Sequence, residues 1–102
     1  MTIYKTDGSV LTDQYASVEA AVKAGVSLVD ANLSYANLSD AYLMDAILAD
    51  ANLTGATLAG AVLTDADLTD AILTDADLTD AILADANLAG ANLRRATLTG
   101  AN

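Results

Sequence analysis

A five-residue repeat constrains this chain more than any other feature of its sequence. Leucine occurs at every fifth position from Leu28 to Leu98, and alanine at every fifth position from Ala31 to Ala101, so the unit reads Ala-x-Leu-x-x. Such internal repetition has to be interpreted before local propensities, because it determines the whole fold. The predicted structural core is the leucine column: Leu28, Leu33, Leu38, Leu43, Leu48, Leu53, Leu58, Leu63, Leu68, Leu73, Leu78, Leu83, Leu88, Leu93 and Leu98.

Neither regular secondary structure buries leucines at this spacing. A five-residue step rotates about 140° around an α-helix, which scatters the leucines over its surface. In a flat strand the same step places successive leucines on opposite faces. The backbone must therefore turn one corner per repeat and return each leucine to the inside, which makes a coil whose turns stack at about 4.8 Å.

Three repeats carry a family resemblance: Ala31–Tyr35 (ANLSY), Ala51–Gly55 (ANLTG) and Ala76–Asp80 (ADLTD). They resemble the A(D/N)LXX unit of the pentapeptide-repeat family. The resemblance implies an all-β fold, a right-handed quadrilateral β-helix with twenty residues per coil. The repeats alone leave the number of sides open, because the clearest outward pattern recurs every ten residues.

The chain is predicted to have two units. Residues 1–25 lie outside the repeat and are expected to form an N-terminal cap, since solenoids need their ends covered. Within them, Thr2–Lys5 and Ser9–Leu11 flank an Asp-Gly turn and predict a short hairpin, and Ser17 predicts the start of a helix. Residues 26–102 are expected to form just under four coils of β-helix.

Composition argues against several functions. The chain has no His and no Cys, which leaves no thiolate, no imidazole base and no disulfide, so we expect no enzyme, no cofactor and no metal site. The formal net charge is −10, so direct binding to nucleic acid or to an anionic membrane is not expected. With no signal sequence and no long apolar run, a cytoplasmic protein is the expectation.

Twenty residues per coil would stack outward positions twenty apart. One side then carries Tyr42, Val62 and Ile82, a candidate stripe for a protein partner. The structural alternative is β-propensity at an outward strand position. Two acidic rows follow from the same register, and they are interpreted as a solvated face, with a bridging cation as the alternative: Asp45, Asp65 and Asp85, and Asp30, Asp50 and Asp70.

The last coil is the other candidate site. We expect no residues to cover it, and an uncovered coil would present apolar interior and an unpaired backbone edge. We expect an end-to-end homodimer there, with a truncated or frayed end as the alternative. Arg95 would also lie one coil beyond Asp75, close enough for an exposed ion pair. The candidate dimer residues are Leu93, Arg94, Arg95, Leu98 and Ala101.

These observations favour a non-catalytic structural or protein-interaction module whose specific role is undefined. The alternative comes from the family resemblance, because some pentapeptide-repeat proteins mimic duplex DNA and inhibit DNA gyrase. Those relatives often have Phe at the central position and form long rods, whereas every centre here is Leu and the stack is about 18 Å long. A stable spacer without a tight partner is the third possibility.

Overall fold

The repeats wind into a four-sided coil in which each side is one repeat. The computed structural model describes residues 1–102. Parallel bridges join residues twenty apart on every side, as in Asn52 with Ile72, Thr57 with Asp77, and Asp67 with Asn87. Twenty residues therefore complete one turn of the coil.

Backbone hydrogen bonds hold successive coils together in two directions. The N–H of Leu63 donates to the carbonyl of Ile82 in the next coil at 2.7 Å, and the N–H of Val62 donates to the carbonyl of Ala41 in the previous coil at 2.9 Å. The same pair of bonds recurs along the stack. The polar backbone is thereby satisfied between coils, as it is between the strands of a sheet.

Each corner is a β-turn with one residue in the left-handed region. The N–H of Ala66 donates to the carbonyl of Leu63 at 3.0 Å, and the intervening Asp65 has φ of 61°. The fifteen corner residues from 30 to 100 all have positive φ, and nine are Asp and four are Gly. Glycine has no steric penalty there and aspartate tolerates it, so the fifth residue of the repeat is selected by backbone conformation.

The first 25 residues form a hairpin and a helix. Strands β1 (Ile3–Lys5) and β2 (Val10–Thr12) pair antiparallel, and β1 also pairs antiparallel with β3 (Ala31–Asn32), giving a sheet in the order β2-β1-β3. Since β3 belongs to the first coil, the hairpin satisfies part of that coil's backbone edge. Helix α1 spans Val18–Lys23. No helix in the structure has the length and apolar character that spanning a membrane requires.

Helix α1 starts at a side-chain cap and lies against the first coil. The Ser17 Oγ accepts a hydrogen bond from the N–H of Ala20 at 3.0 Å, which satisfies one of the free donors at the helix start. Val18 and Ala21 are buried in the same cluster as the leucine column, together with Ile3 of β1. The N-terminal residues thus add apolar surface to the core.

The leucine column is buried over most of its length. The eleven leucines from Leu28 to Leu78 are at most 7% exposed. Leu83, Leu88 and Leu93 are partly exposed. Leu98 departs from the predicted core because it is 44% exposed. The physical reason is that these four side chains belong to the last coil, over which no further residues pack, whereas Ile3, Val18 and Ala21 are buried in one cluster with Leu28.

Candidate docking surface

One side of the coil carries the apolar stripe, defined as Tyr42, Val62 and Ile82. Bridges join Tyr42 to Val62 and Val62 to Ile82, so the three residues occupy successive coils about 4.8 Å apart. Tyr42 is 64% exposed and Ile82 39% exposed, with Val62 partly exposed between them. The structure therefore brings these residues together on the outer surface as a continuous apolar strip.

The stripe is segregated to its side. At the same register position, two of the other sides carry one large apolar residue each, Ile47 and Ile72, and the remaining side carries none. β-Propensity favours Val, Ile and Tyr on every side of the coil alike. Propensity by itself predicts no preference for one side, whereas three of the five large apolar residues at this position share one column.

Polar residues at this register position stabilise the backbone locally. The Oδ1 of Asn52 accepts hydrogen bonds from the backbone N–H of Thr54 at 3.0 Å and from its hydroxyl at 2.6 Å. Asp67 and Asp77 make the same contacts with the threonines two residues on. The side chains of Tyr42, Val62 and Ile82 do not make this bond, so the stripe lacks a local stabilising interaction.

These contacts lower the pKa of the two aspartates. The pKa of the Asp67 carboxyl lies below its usual range. The largest cause is the hydrogen bond from the hydroxyl of Thr69, the second is the bond from its backbone N–H, and desolvation opposes them with a smaller effect. Thr79 does the same for Asp77. The ionised carboxylate accepts both bonds, which favours the charged form.

Carboxylates border the stripe on both sides. The corner that precedes it carries Asp40 and Asp80, and the corner that follows carries Asp45, Asp65 and Asp85. All five of these side chains are exposed. The stripe is therefore an apolar strip between two acidic edges.

The preceding border includes glycine positions as well. A Cβ built on Gly60 would collide with the carboxylate of Asp40, and one built on Gly100 would collide with that of Asp80. Each carboxylate therefore occupies the space beside the glycine of the next coil, where a side chain on that residue would otherwise lie. The acidic edge is continuous although only alternate coils supply an aspartate.

A cleft of about 380 Å³ adjoins the apolar stripe at its lower end, which is the end formed by Tyr42, where helix α1 meets the first coil. Val22 and Met44 line it beside Tyr42, with Glu19 and Lys23 also in its wall. The Glu19 Oε1 accepts a hydrogen bond from the backbone N–H of Tyr42 at 2.8 Å, which fixes the helix to the coil. Sequence reasoning missed these residues.

A signal for the cleft was present in the sequence. Met44 follows its central leucine directly, and the other repeats from residue 31 onward have Ser, Thr, Ala or Arg at that position. A large apolar side chain at a position otherwise small or polar points to a local contact. Only the structure shows that residues of α1 line the same cleft as Met44.

The two acidic rows have a backbone explanation. Each of their aspartates occupies a corner with positive φ. No group of three or more His, Cys, Asp or Glu side chains has a geometry that could hold a metal ion. The rows consist of exposed carboxylates whose spacing follows from the corner geometry: Asp45, Asp65 and Asp85, and Asp30, Asp50 and Asp70.

The last coil combines an ion pair with an open backbone edge. Arg95 lies beside Asp75 as the twenty-residue register predicts, with Nε–Oδ1 at 2.9 Å and Nη2–Oδ2 at 3.3 Å. The pair is well exposed and contributes little to stability. The backbone N–H groups of Leu88, Leu93 and Leu98 make no hydrogen bond within the chain. Arg94 and Ala101 lie in the same coil.

Comparisons with known proteins agree with this geometry. A family model for pentapeptide repeats matches eight copies of the unit, over residues 24–49, 46–85 and 71–102. A solved pentapeptide-repeat protein from the thylakoid lumen of Arabidopsis thaliana is 41% identical with a TM-score of 0.72, over 74% of this chain and 52% of that chain. The search of curated proteins finds no match.

A second solved structure has similar identity. HetL, a pentapeptide-repeat protein involved in heterocyst differentiation regulation in the cyanobacterium Nostoc sp. strain PCC 7120, is 42% identical with a TM-score of 0.53, over 70% of this chain and 35% of that chain. This chain therefore spans about half the length of the first neighbour and about a third of the second. The neighbours imply that the coil is a right-handed quadrilateral β-helix.

Proposed function

The chain belongs to the pentapeptide-repeat family, and we propose that it is a non-catalytic module that docks another protein through its apolar stripe. The observation that carries this proposal is the segregation of Tyr42, Val62 and Ile82 to one side of the coil. Three apolar residues that adjoin on the outer surface form a patch suited to a partner, and their side lacks the local hydrogen bonds that Asn or Asp would make there.

The architecture suits a docking role because the stripe stands on a stiff support. Its three residues belong to coils tied by backbone hydrogen bonds of 2.7–2.9 Å, which join Leu43 to Val62, Val62 to Ala41, and Leu63 to Ile82. A surface that is ordered before binding loses little conformational entropy when a partner is bound. In this proposal residues 1–25 act as the cap that keeps the first coil closed, and residues 26–102 present the surface.

A matched pair of variants tests the docking proposal. The triple substitution Tyr42→Thr, Val62→Thr and Ile82→Thr removes the stripe, and Ile47→Thr with Ile72→Thr removes exposed apolar residues from two other sides. Cross-linking and capture from the native host should recover a partner with the wild type and with the control, and lose it with the triple variant. Recovery of the same partner by the triple variant would contradict the proposal.

We also propose that two copies associate end to end through the last coil. The partly exposed Leu93, the exposed Leu98 and the free N–H groups of that coil support this contact. Pairing them with a second copy removes apolar surface from water and satisfies the backbone edge. Sedimentation at increasing concentration tests it, with a Leu98→Asp variant as control. A wild type that stays monomeric at millimolar concentration would refute the dimer.

A DNA-mimic role is the alternative, and charge density is the observation that favours it. Residues 26–102 hold eleven Asp and two Arg, a net charge of −9. Spread over about 18 Å of stacked coils, this is one charge per about 2 Å, against about 1.7 Å in duplex DNA. A DNA gyrase supercoiling assay tests the alternative. Uninhibited supercoiling at micromolar protein would eliminate it.

A further inference from the structure

We infer that the partner segment that binds the stripe is a basic, amphipathic α-helix, an inference that rests on the proposed docking function. Three features of the surface carry it. These are the spacing of the stripe, the carboxylates on its two borders, and the apolar cleft at its lower end.

The spacing of the stripe matches a helix that lies along the axis of the coil. Tyr42, Val62 and Ile82 follow one another at about 4.8 Å, so the outer two are about 10 Å apart. Residues at i, i+3 and i+7 of an α-helix advance about 4.5 and 10.5 Å along its axis. An extended strand repeats its same-side residues every 6.6–6.8 Å and is out of step by about 4 Å at the third contact. A helix therefore keeps its register over the whole stripe.

The borders of the stripe set the charge of that helix. Three carboxylates lie along one edge and two along the other, and the stripe itself contains no charged group. A helix whose apolar face lies on the stripe presents its flanking residues to both edges. Lysine or arginine at those flanks is attracted, whereas Asp or Glu is repelled, which supplies specificity and a faster encounter.

The cleft extends the apolar contact by one further side chain. Val22 of α1 and Met44 line it together with Tyr42, the first residue of the stripe. Glu19 and Lys23 in its wall offset each other in charge, so the attraction for basic residues comes from the corners. One large apolar residue at the end of the partner helix would fill this space, in the manner of helix-in-groove recognition.

The test uses a synthetic 18-residue Leu/Lys amphipathic peptide with a fluorescent label. Its binding to the full chain is measured by anisotropy at several salt concentrations. The comparison peptides are a scrambled version of the same composition without a continuous apolar face, and a Leu/Glu version. We expect saturable binding of the first peptide only, weakening with salt.

Matched variants separate this surface from general attraction to an acidic protein. Asp65→Asn with Asp85→Asn changes one border of the stripe, and Asp50→Asn with Asp70→Asn makes the same charge change at a corner that does not border it. The first pair should weaken binding about fivefold relative to the second. Val62→Thr with Ile82→Thr should weaken it further. Equal affinities for the two Asn pairs would overturn the inference.

Two other outcomes also overturn it. A scrambled peptide that binds as tightly as the amphipathic one would show that helical register is irrelevant, and absence of saturable binding would remove the helix as occupant. Failure of this inference is distinguishable from failure of the docking function. If the triple Thr variant loses the captured partner while the model helix does not bind, docking stands and the helix is wrong.

Discussion

The corners of the coil allow a direct test of why aspartate recurs there. Asp50 and Asp65 occupy different corners with φ of 60° and 61°, and both side chains are exposed. We predict that replacing both with Ala destabilises the fold, whereas replacing both with Asn does not. The two double variants carry the same net charge, so their difference isolates the backbone effect from relief of charge repulsion.

The magnitude follows from the left-handed conformation. A residue with an ordinary Cβ is penalised by about 1 kcal/mol there, while Asn and Asp tolerate it through local hydrogen bonding. Two independent corners give about 2 kcal/mol. For a domain of this size that is a fall in Tm of about 10 °C, since 1 kcal/mol shifts Tm by about 4–8 °C.

The assay is thermal and urea unfolding followed by far-ultraviolet circular dichroism. The Asn variant should melt close to the wild type, and the Ala variant about 10 °C lower. If the Ala and Asn variants melt together, backbone conformation does not select aspartate at the corners. The acidic rows would then need another explanation.

Two further predictions concern the core and pH. Leu63→Ala should lower the free energy of unfolding by about 2–5 kcal/mol because it leaves a cavity, whereas Leu98→Ala at the exposed end should lower it by less than about 1 kcal/mol; equal losses in urea titrations would contradict the burial pattern. Asp67 and Asp77 have a lowered pKa in the folded state, so their contribution to stability is present above about pH 4 and is lost as pH falls through the folded pKa. The free energy of unfolding of the wild type, minus that of the double variant Asp67→Asn with Asp77→Asn, should therefore decline as the pH falls from 6 to 2. A difference that stays constant over this range would refute the lowered pKa of the two aspartates.

Much of the architecture is encoded in the spacing of leucine and alanine. A five-residue period excludes a helix and a flat strand, and the ANLSY-type units identify the family, which the family model confirms. The four sides came from the resemblance, and bridges such as Val62 with Ile82 agree with them. The spacing was sufficient to predict a coil because every leucine side chain has to point toward the interior, and only a backbone that turns once per five residues allows this.

Other features depended on contacts between segments that the repeat does not relate. The pairing of β1 with Ala31–Asn32 and the bond from Tyr42 to Glu19 join the non-repetitive segment to the first coil. No periodicity specifies them, because each occurs once. The corner role of aspartate was missed for a different reason: its charge was interpreted as a surface property, although the left-handed backbone at Asp65 selects the residue.

The twenty-residue register makes the coil respond unequally to insertions of different length. Adding one five-residue unit between Val62 and Ile82 would preserve the inward leucines, yet every outward residue after it would move to the neighbouring side. Adding four units would lengthen the rod and restore the original alignment. Gene duplication in steps of five can therefore reshuffle the partners of such a protein while its interior stays the same, and steps of twenty extend an existing surface.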